Sequence, residues 1–105
     1  MPPALTVVVP AFNEAGIAAT VRALLEGLSD LDLEIVVSDD GSTDASAAEV
    51  EKLAASDPRV RLLKNPRRGR GGALKAGLAA ASGEIVVTVD ADLSYSPGEV
   101  RKLVE

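Results

Sequence analysis

Leu33-Glu34-Ile35-Val36-Val37-Ser38-Asp39-Asp40-Gly41-Ser42-Thr43-Asp44 runs from a mostly apolar, β-branched segment into an acidic turn. The apolar part lacks the strict alternation of a half-exposed strand, as expected for a strand buried on both faces of a parallel sheet. Leu5-Thr6-Val7-Val8-Val9 and Ile85-Val86-Val87-Thr88-Val89 repeat the pattern, whereas the mixed Val60-Arg61-Leu62-Leu63 predicts a strand nearer an edge. Between these runs the period becomes helical. Ile17, Val21, Leu24, Leu25 and Leu28 share one face, as do Ala47, Val50, Leu53 and Ala54, and again Leu74, Gly77, Leu78 and Ala81. Asn13 is the expected N-cap of the first helix and Ser42 or Thr43 that of the second, with Gly83 the C′ residue closing the third. Ser96-Pro97-Gly98-Glu99 has capping-box spacing ahead of an apolar stripe of Val100, Leu103 and Val104. A fourth helix is therefore expected, cut off after about two turns. The alternation β-α-β-α-β-α-β-α with short connections predicts an α/β fold, a parallel sheet covered by helices on both faces.

The 105 residues carry 11 Lys+Arg, 16 Asp+Glu and no histidine, for a net charge of −5. One domain across 1–105 is expected, and 47% hydrophobic residues provide a packed core. With no cysteine, a disulfide scaffold, a thiolate zinc site and a cysteine nucleophile are excluded. The missing histidine excludes a Ser-His-Asp triad and an imidazole base. The apolar runs fall well short of the roughly 20 residues that cross a bilayer, and Met1-Pro2-Pro3 does not open a signal peptide, so a soluble cytoplasmic domain is expected. The charge is uneven. Arg59, Arg61, Lys64, Arg67, Arg68, Arg70 and Lys75 fall between Pro58 and Gly83, where no acidic residue occurs. Such a run is either a solvated loop or an anion site. Nucleic acid is disfavoured as the partner, because the whole is acidic and its only aromatics are Phe12 and Tyr95.

In an open parallel sheet, ligands bind beyond the carboxyl ends of the strands. The segments there are Pro10 to Glu14, Ser38 to Ser42, Asn65 to Gly72 and Asp90 to Ser94. Asp90-Ala91-Asp92 places two carboxylates at i and i+2, able to converge on a hard cation. Without His or Cys that cation is Mg²⁺ or Mn²⁺; the alternative is a turn capped by Asp92 or Ser94. In Asp39-Asp40-Gly41-Ser42-Thr43-Asp44 a carboxylate can accept bonds from a nucleobase or ribose. An Asx-turn with a helix cap accounts for Gly41 to Asp44 but leaves the adjacent Asp39 and Asp40 unexplained. Arg67-Arg68-Gly69-Arg70-Gly71-Gly72 leads into the third helix, where free N–H groups and arginines suit a diphosphate. It matches neither G-x-G-x-x-G nor a Walker loop. Carboxylates beside a basic loop on one rim are what a nucleoside diphosphate with its metal requires.

Four segments together carry a family resemblance: Val7-Val8-Val9-Pro10-Ala11-Phe12-Asn13-Glu14, Ile35 to Asp44, Gly69-Arg70-Gly71-Gly72-Ala73-Leu74-Lys75-Ala76-Gly77, and Val89-Asp90-Ala91-Asp92-Leu93-Ser94. In order and spacing they resemble the motifs of family 2 glycosyltransferases of the GT-A fold. The ending Asp-Ala-Asp-Leu-Ser is most similar to the polyprenyl-phosphate, dolichyl-phosphate mannose synthase-like branch. The resemblance covers the N-terminal, donor-binding half of that family's catalytic domain. It implies a Rossmann-like nucleotide-diphospho-sugar-binding half with strand order 3-2-1-4, truncated at its C-terminus and inactive alone.

By position the resemblance implies that Pro10, Phe12 and Glu14 line the nucleoside pocket and that Asp39 and Asp40 hold the base, Asp40 foremost. Arg70 stands near the diphosphate, Asp90 at ribose or metal, Ala91 against the ligand through its backbone, and Asp92 at the metal. Phe12, Arg70 and Tyr95 replace a frequent tyrosine, lysine and histidine. The implied partners are a GDP- or UDP-sugar donor, Mg²⁺ or Mn²⁺, and a polyprenyl-phosphate acceptor recognised by the missing half. In that full-length context the domain is expected to be peripheral to the cytoplasmic face of the membrane. Two other readings stand beside it. A nucleotidyltransferase needs a glycine-rich basic loop after the first strand, which Pro10 to Glu14 is not. A noncatalytic nucleotide-binding or assembly module would use the open sheet edge at Ile85 to Val89 to form a homo-oligomer.

Overall fold

The computed structural model describes residues 3–91 together with Gly98, Val100 and Lys102. The strands are β1 (Leu5–Ala11), β2 (Leu33–Asp39), β3 (Val60–Lys64) and β4 (Ile85–Thr88), and the helices between them are α1 (Ile17–Gly27), α2 (Ser46–Ser56) and α3 (Arg70–Ala80). All pairings are parallel and the order is β3-β2-β1-β4. Gly98, Val100 and Lys102 are helical where the fourth helix is expected, and Val100 joins the core.

β1 and β2 are buried along their whole length because helices cover both faces. Val7, Val9, Ile35 and Val37 meet the fully buried Ile17, Val21 and Leu24 of α1 and Leu28 at its C-cap on one face. Burying each such side chain contributes about 1.5–3 kcal/mol. On the other face α3 lies against β1 and β2 through Ala73 and Gly77. A Cβ added at Gly77 would stand 2.4 Å from Val8 Cγ1. Gly77 of the expected α3 face thus lies against the sheet, but the face is turned toward Ala73 and away from Leu78. Hydrophobicity singles out Leu74 and Leu78, but the sheet admits only the smallest side chains, and Leu78 is left 46% exposed.

Four further expectations are corrected. β4 is not buried on both faces: among the described residues it has one strand neighbour, and Ile85 and Val86 are exposed. Asn13 does not cap α1, whose N-cap is Gly16; instead it adopts a left-handed conformation (φ 47°) and accepts a bond from Thr43 N at 2.8 Å. Neither Ser42 nor Thr43 caps α2, which starts at Ser46 with Asp44 accepting from Ser46 N. Gly83 is not a C′ glycine, for α3 ends at Ala80. It is small because it packs on β1, where an added Cβ would stand 2.6 Å from Thr6 N.

At the amino ends of the strands, one buried carboxylate joins four segments. Glu34 of β2 accepts from Thr6 Oγ1 of β1 (2.7 Å), Arg61 of β3 (2.8 Å), and Ser82 N and Oγ ahead of β4 (3.1 and 2.8 Å). Burial raises its pKa, but the bonds from Thr6, Arg61 and Ser82 outweigh burial and bring it from 4.5 to about 2.

Candidate functional site

The opposite ends of the strands open onto a cleft of about 360 Å³. Its wall at the end of β1 and just beyond is Pro10, Ala11, Phe12 and Glu14; Asp40 faces them from the end of β2, Arg67, Arg70 and Ala73 from the basic loop and α3, and Asp90 and Ala91 from beyond β4. Seven expected residues, Pro10, Phe12, Glu14, Asp40, Arg70, Asp90 and Ala91, thus share one cavity. Asp39 is not among its lining residues: its two carboxylate oxygens accept from Ser42 N and Ser42 Oγ, closing the turn that follows β2. Asp92, like Ser94 and Tyr95, lies outside the described residues.

Backbone and side chain together explain the convergence. Asn13 N donates to Ser42 Oγ (2.9 Å), which ties the first loop to the second. Asn65 Nδ2 donates to Ser38 Oγ (2.9 Å) and to the Asp39 carbonyl (3.0 Å), and Ser38 Oγ donates to the Ala73 carbonyl (2.6 Å), fastening the basic loop and α3 to β2. Thr20 of α1 donates to the Ala91 carbonyl at 2.6 Å and so places the segment carrying Asp90.

Asp40 is buried, with 2% exposure, and its charge is met by Arg67 Nη1 at 2.7 Å, Arg68 N at 2.8 Å and Gly69 N at 3.0 Å. Gly69 has φ +88°, a left-handed turn that glycine adopts without strain and that delivers its N–H to Asp40 as α3 begins. The adjacent Asp39 and Asp40 are therefore each supplied with donors, which the sequence reading left unexplained. Arg67 also lies over the Phe12 ring, 3.5 Å from its centroid. Arg67 is the site residue that sequence reasoning missed. It counts as one of seven basic residues there, and only the register of the loop against the buried Asp40 distinguishes it.

Arg70 opens α3 and is ion-paired through Nη2 to Asp90 Oδ1. No side chain among the described residues caps α3, so its first-turn N–H groups carry partial positive charge at the cleft. No group of three or more acidic side chains converges among the described residues. A small hard cation takes oxygen donors, from carboxylates and from phosphate groups of its ligand. Asp90 fits this role as a partly exposed oxygen donor already facing a cation.

Residues 6–105 match the model of glycosyl transferase family 2. The chain belongs to that family. An undecaprenyl-phosphate 4-deoxy-4-formamido-L-arabinose transferase of Pseudomonas fluorescens is 36% identical over 105 residues, covering 95% of this chain and 31% of that protein. Mannosyltransferase PcManGT from Pyrobaculum calidifontis, solved in complex with GDP-Man and Mn²⁺, superposes with a TM-score of 0.69 at 37% identity, over 88% of this chain and 28% of that one. Glucosyl-3-phosphoglycerate synthase from Mycobacterium tuberculosis, in complex with Mn²⁺, UDP and glucosyl-3-phosphoglycerate, superposes with a TM-score of 0.73 at 33% identity, over 97% of this chain and 38% of that one. The chain spans 17 to 32% of the length of the curated relatives it matches. Its fold is that of GT-A glycosyltransferases, with the implied strand order 3-2-1-4. No helix among the described residues is long and apolar enough to cross a membrane.

Proposed function

We propose that the cleft binds the nucleoside diphosphate of a GDP- or UDP-sugar with Mn²⁺ or Mg²⁺, as the donor site of a glycosyltransferase acting on a polyprenyl phosphate. The observation that carries this reading is the joining of an aromatic ring, a carboxylate and an uncapped helix N-terminus flanked by arginines in one cavity. Phe12 offers a stacking face to the base, and Asp40 anchors the loop beside it. Pro10 and Glu14 complete the nucleoside wall. Arg70 and the first turn of α3 supply positive charge to the diphosphate. Asp90 faces ribose or metal, Ala91 meets the ligand through its backbone, and Asp92 is the second metal ligand in this reading. When bound, the divalent ion supplies Lewis-acid neutralisation of the leaving diphosphate.

The GDP and UDP of the solved relatives support a nucleoside-diphosphate donor, and the undecaprenyl-phosphate relative supports a lipid-phosphate acceptor. A phosphate acceptor is already anionic and needs little help from a base. In this reading acceptor recognition belongs to parts of such proteins that these 105 residues do not span. Calorimetric titration with UDP and GDP, each with Mn²⁺ and with EDTA, tests it. Mn²⁺-dependent binding is expected; a folded sample that binds neither nucleotide, or binds equally well in EDTA, would overturn the proposal.

A second reading rests on the outer edge of β4, where Ile85 and Val86 are 45% and 41% exposed. It makes that edge a pairing surface for another copy. Concentration-dependent dimers in size-exclusion chromatography are its expected sign, and a monomer at high concentration counts against it.

A further inference from the structure

We propose that Arg70 is an internal stand-in for the divalent ion, holding Asp90 in the ligand-free protein and passing to the diphosphate when metal and nucleotide enter together. This rests on the donor-binding reading. The ion pair joins the residue that opens α3 to the carboxylate beyond β4, so the site carries its own cation where the metal is expected. A carboxylate only accepts, and a guanidinium and a divalent ion compete for the same oxygens.

Burial distinguishes this pair from its neighbour. The side chains of Arg70 and Asp90 are 68% and 36% exposed, whereas Asp40, the partner of Arg67, is 2% exposed and takes three donors. Exposed pairs are weak and readily exchanged, and buried, fully bonded ones are not. Arg67, 57% exposed itself, is held by the buried Asp40 and by the Phe12 ring it covers, whereas Arg70, whose ion-pair partner is a partly exposed carboxylate, is the arginine free to change partner.

Charge pairing then couples the two ligands. Metal arriving alone meets the positive charge of Arg70 on its carboxylate. Diphosphate arriving alone draws Arg70 away and leaves Asp90 uncompensated beside another anion. Only when both arrive is every charge paired, with Arg70 on phosphate and Asp90 on metal. By linkage, nucleotide raises metal affinity by the factor by which metal raises nucleotide affinity.

The test counts free Mn²⁺ by electron paramagnetic resonance, without and with saturating UDP or GDP, for the wild type, Arg70→Met and Arg68→Met. Arg68 carries the same charge two residues earlier, and both arginines are exposed. Arg70→Met is expected to bind Mn²⁺ alone about threefold to tenfold more tightly than the wild type. It also loses part of the enhancement that nucleotide gives, while Arg68→Met leaves that enhancement unchanged. Unchanged or weaker Mn²⁺ binding by Arg70→Met overturns the exchange, as does an equal effect of Arg68→Met, which would reveal a diffuse field. A folded wild type that binds Mn²⁺ and nucleotide independently refutes the exchange alone. One that binds neither refutes the donor-binding reading and the exchange with it.

Discussion

The two ends of the sheet use the same chemistry, carboxylate against guanidinium, for opposite ends. At the amino ends Glu34, its side chain 11% exposed, is enclosed by donors from Thr6, Arg61 and Ser82 and links β1, β2, β3 and the approach to β4. At the carboxyl ends Asp90 faces an open cleft with Arg70 as its ion-pair partner. A carboxylate whose donors are built into the fold stabilises the fold, and one that shares a mobile cation with solvent is available to a ligand. Asp40 lies between the two: it is buried and multiply bonded, yet it lines the cleft. The difference teaches that charge alone does not mark the site; the remaining accessibility of the charge does.

The strongest way to break this contrast is to remove the enclosed carboxylate. Glu34→Ala takes away four hydrogen bonds and leaves the Ser82 N–H without its acceptor, so a loss of about 4 kcal/mol in unfolding free energy is expected in urea denaturation. A loss below about 1 kcal/mol would place Glu34 with ordinary surface carboxylates and erase the distinction.

Acid titration leaves the carboxyl in place and removes only its charge, so its effect is smaller. The folded pKa is about 2 and the ordinary value 4.5. Between these values the unfolded chain binds more protons, so stability rises with pH there. Glu34 contributes fully above about pH 5, and about 3 kcal/mol is lost as pH falls through 4.5 toward 2. Hydrogen bonds from Ser46 to Asp44 and from Arg59 to Asp57 lower those pKa values too. The Glu34 share is therefore the difference between wild-type and Glu34→Gln profiles. Parallel profiles would show that the bonds do not favour the ionised form.

The fold was legible in the sequence wherever burial is continuous. β1, β2 and the α1 stripe are apolar because helices cover both faces of those strands, and hydropathy records that, whereas the equally apolar β4 is exposed at Ile85 and Val86. It was less legible where size rather than polarity decides. α3 docks through Gly77, which the periodic face included, and through Ala73, which hydrophobicity does not select over Leu78. The strand order came from the ordered motifs through their resemblance, not from periodicity. Loop segments on one rim were legible as a group because a parallel sheet brings them there. Their hydrogen bonds were not, since Ser42 and Thr43 read as caps of the second helix, whereas Ser42 Oγ donates to Asp39 and accepts from Asn13 N, and Thr43 N donates to Asn13, 30 residues away. Glu34 was not singled out in the sequence, because a single charge inside an apolar strand becomes a clamp only through partners 28 and 48 residues distant.

The finest test of the contrast repeats the removal of a carboxylate charge at the open end. In Asp90→Asn the partner left behind, Arg70, is 68% exposed and regains its hydration, so no buried charge is stranded. Unfolding free energy is expected to change by less than about 1 kcal/mol in the urea assay applied to Glu34→Ala. Mn²⁺-dependent nucleotide binding, measured by calorimetry on the same sample, is expected to weaken by about tenfold or more, because an amide is a poorer ligand for a hard cation than a carboxylate. Stability and binding then respond in opposite proportion at the two ends. If Asp90→Asn instead destabilises the fold as much as Glu34→Ala does, its ion pair with Arg70 is structural, and the open end of the sheet is a second clamp rather than a site whose cation can be exchanged.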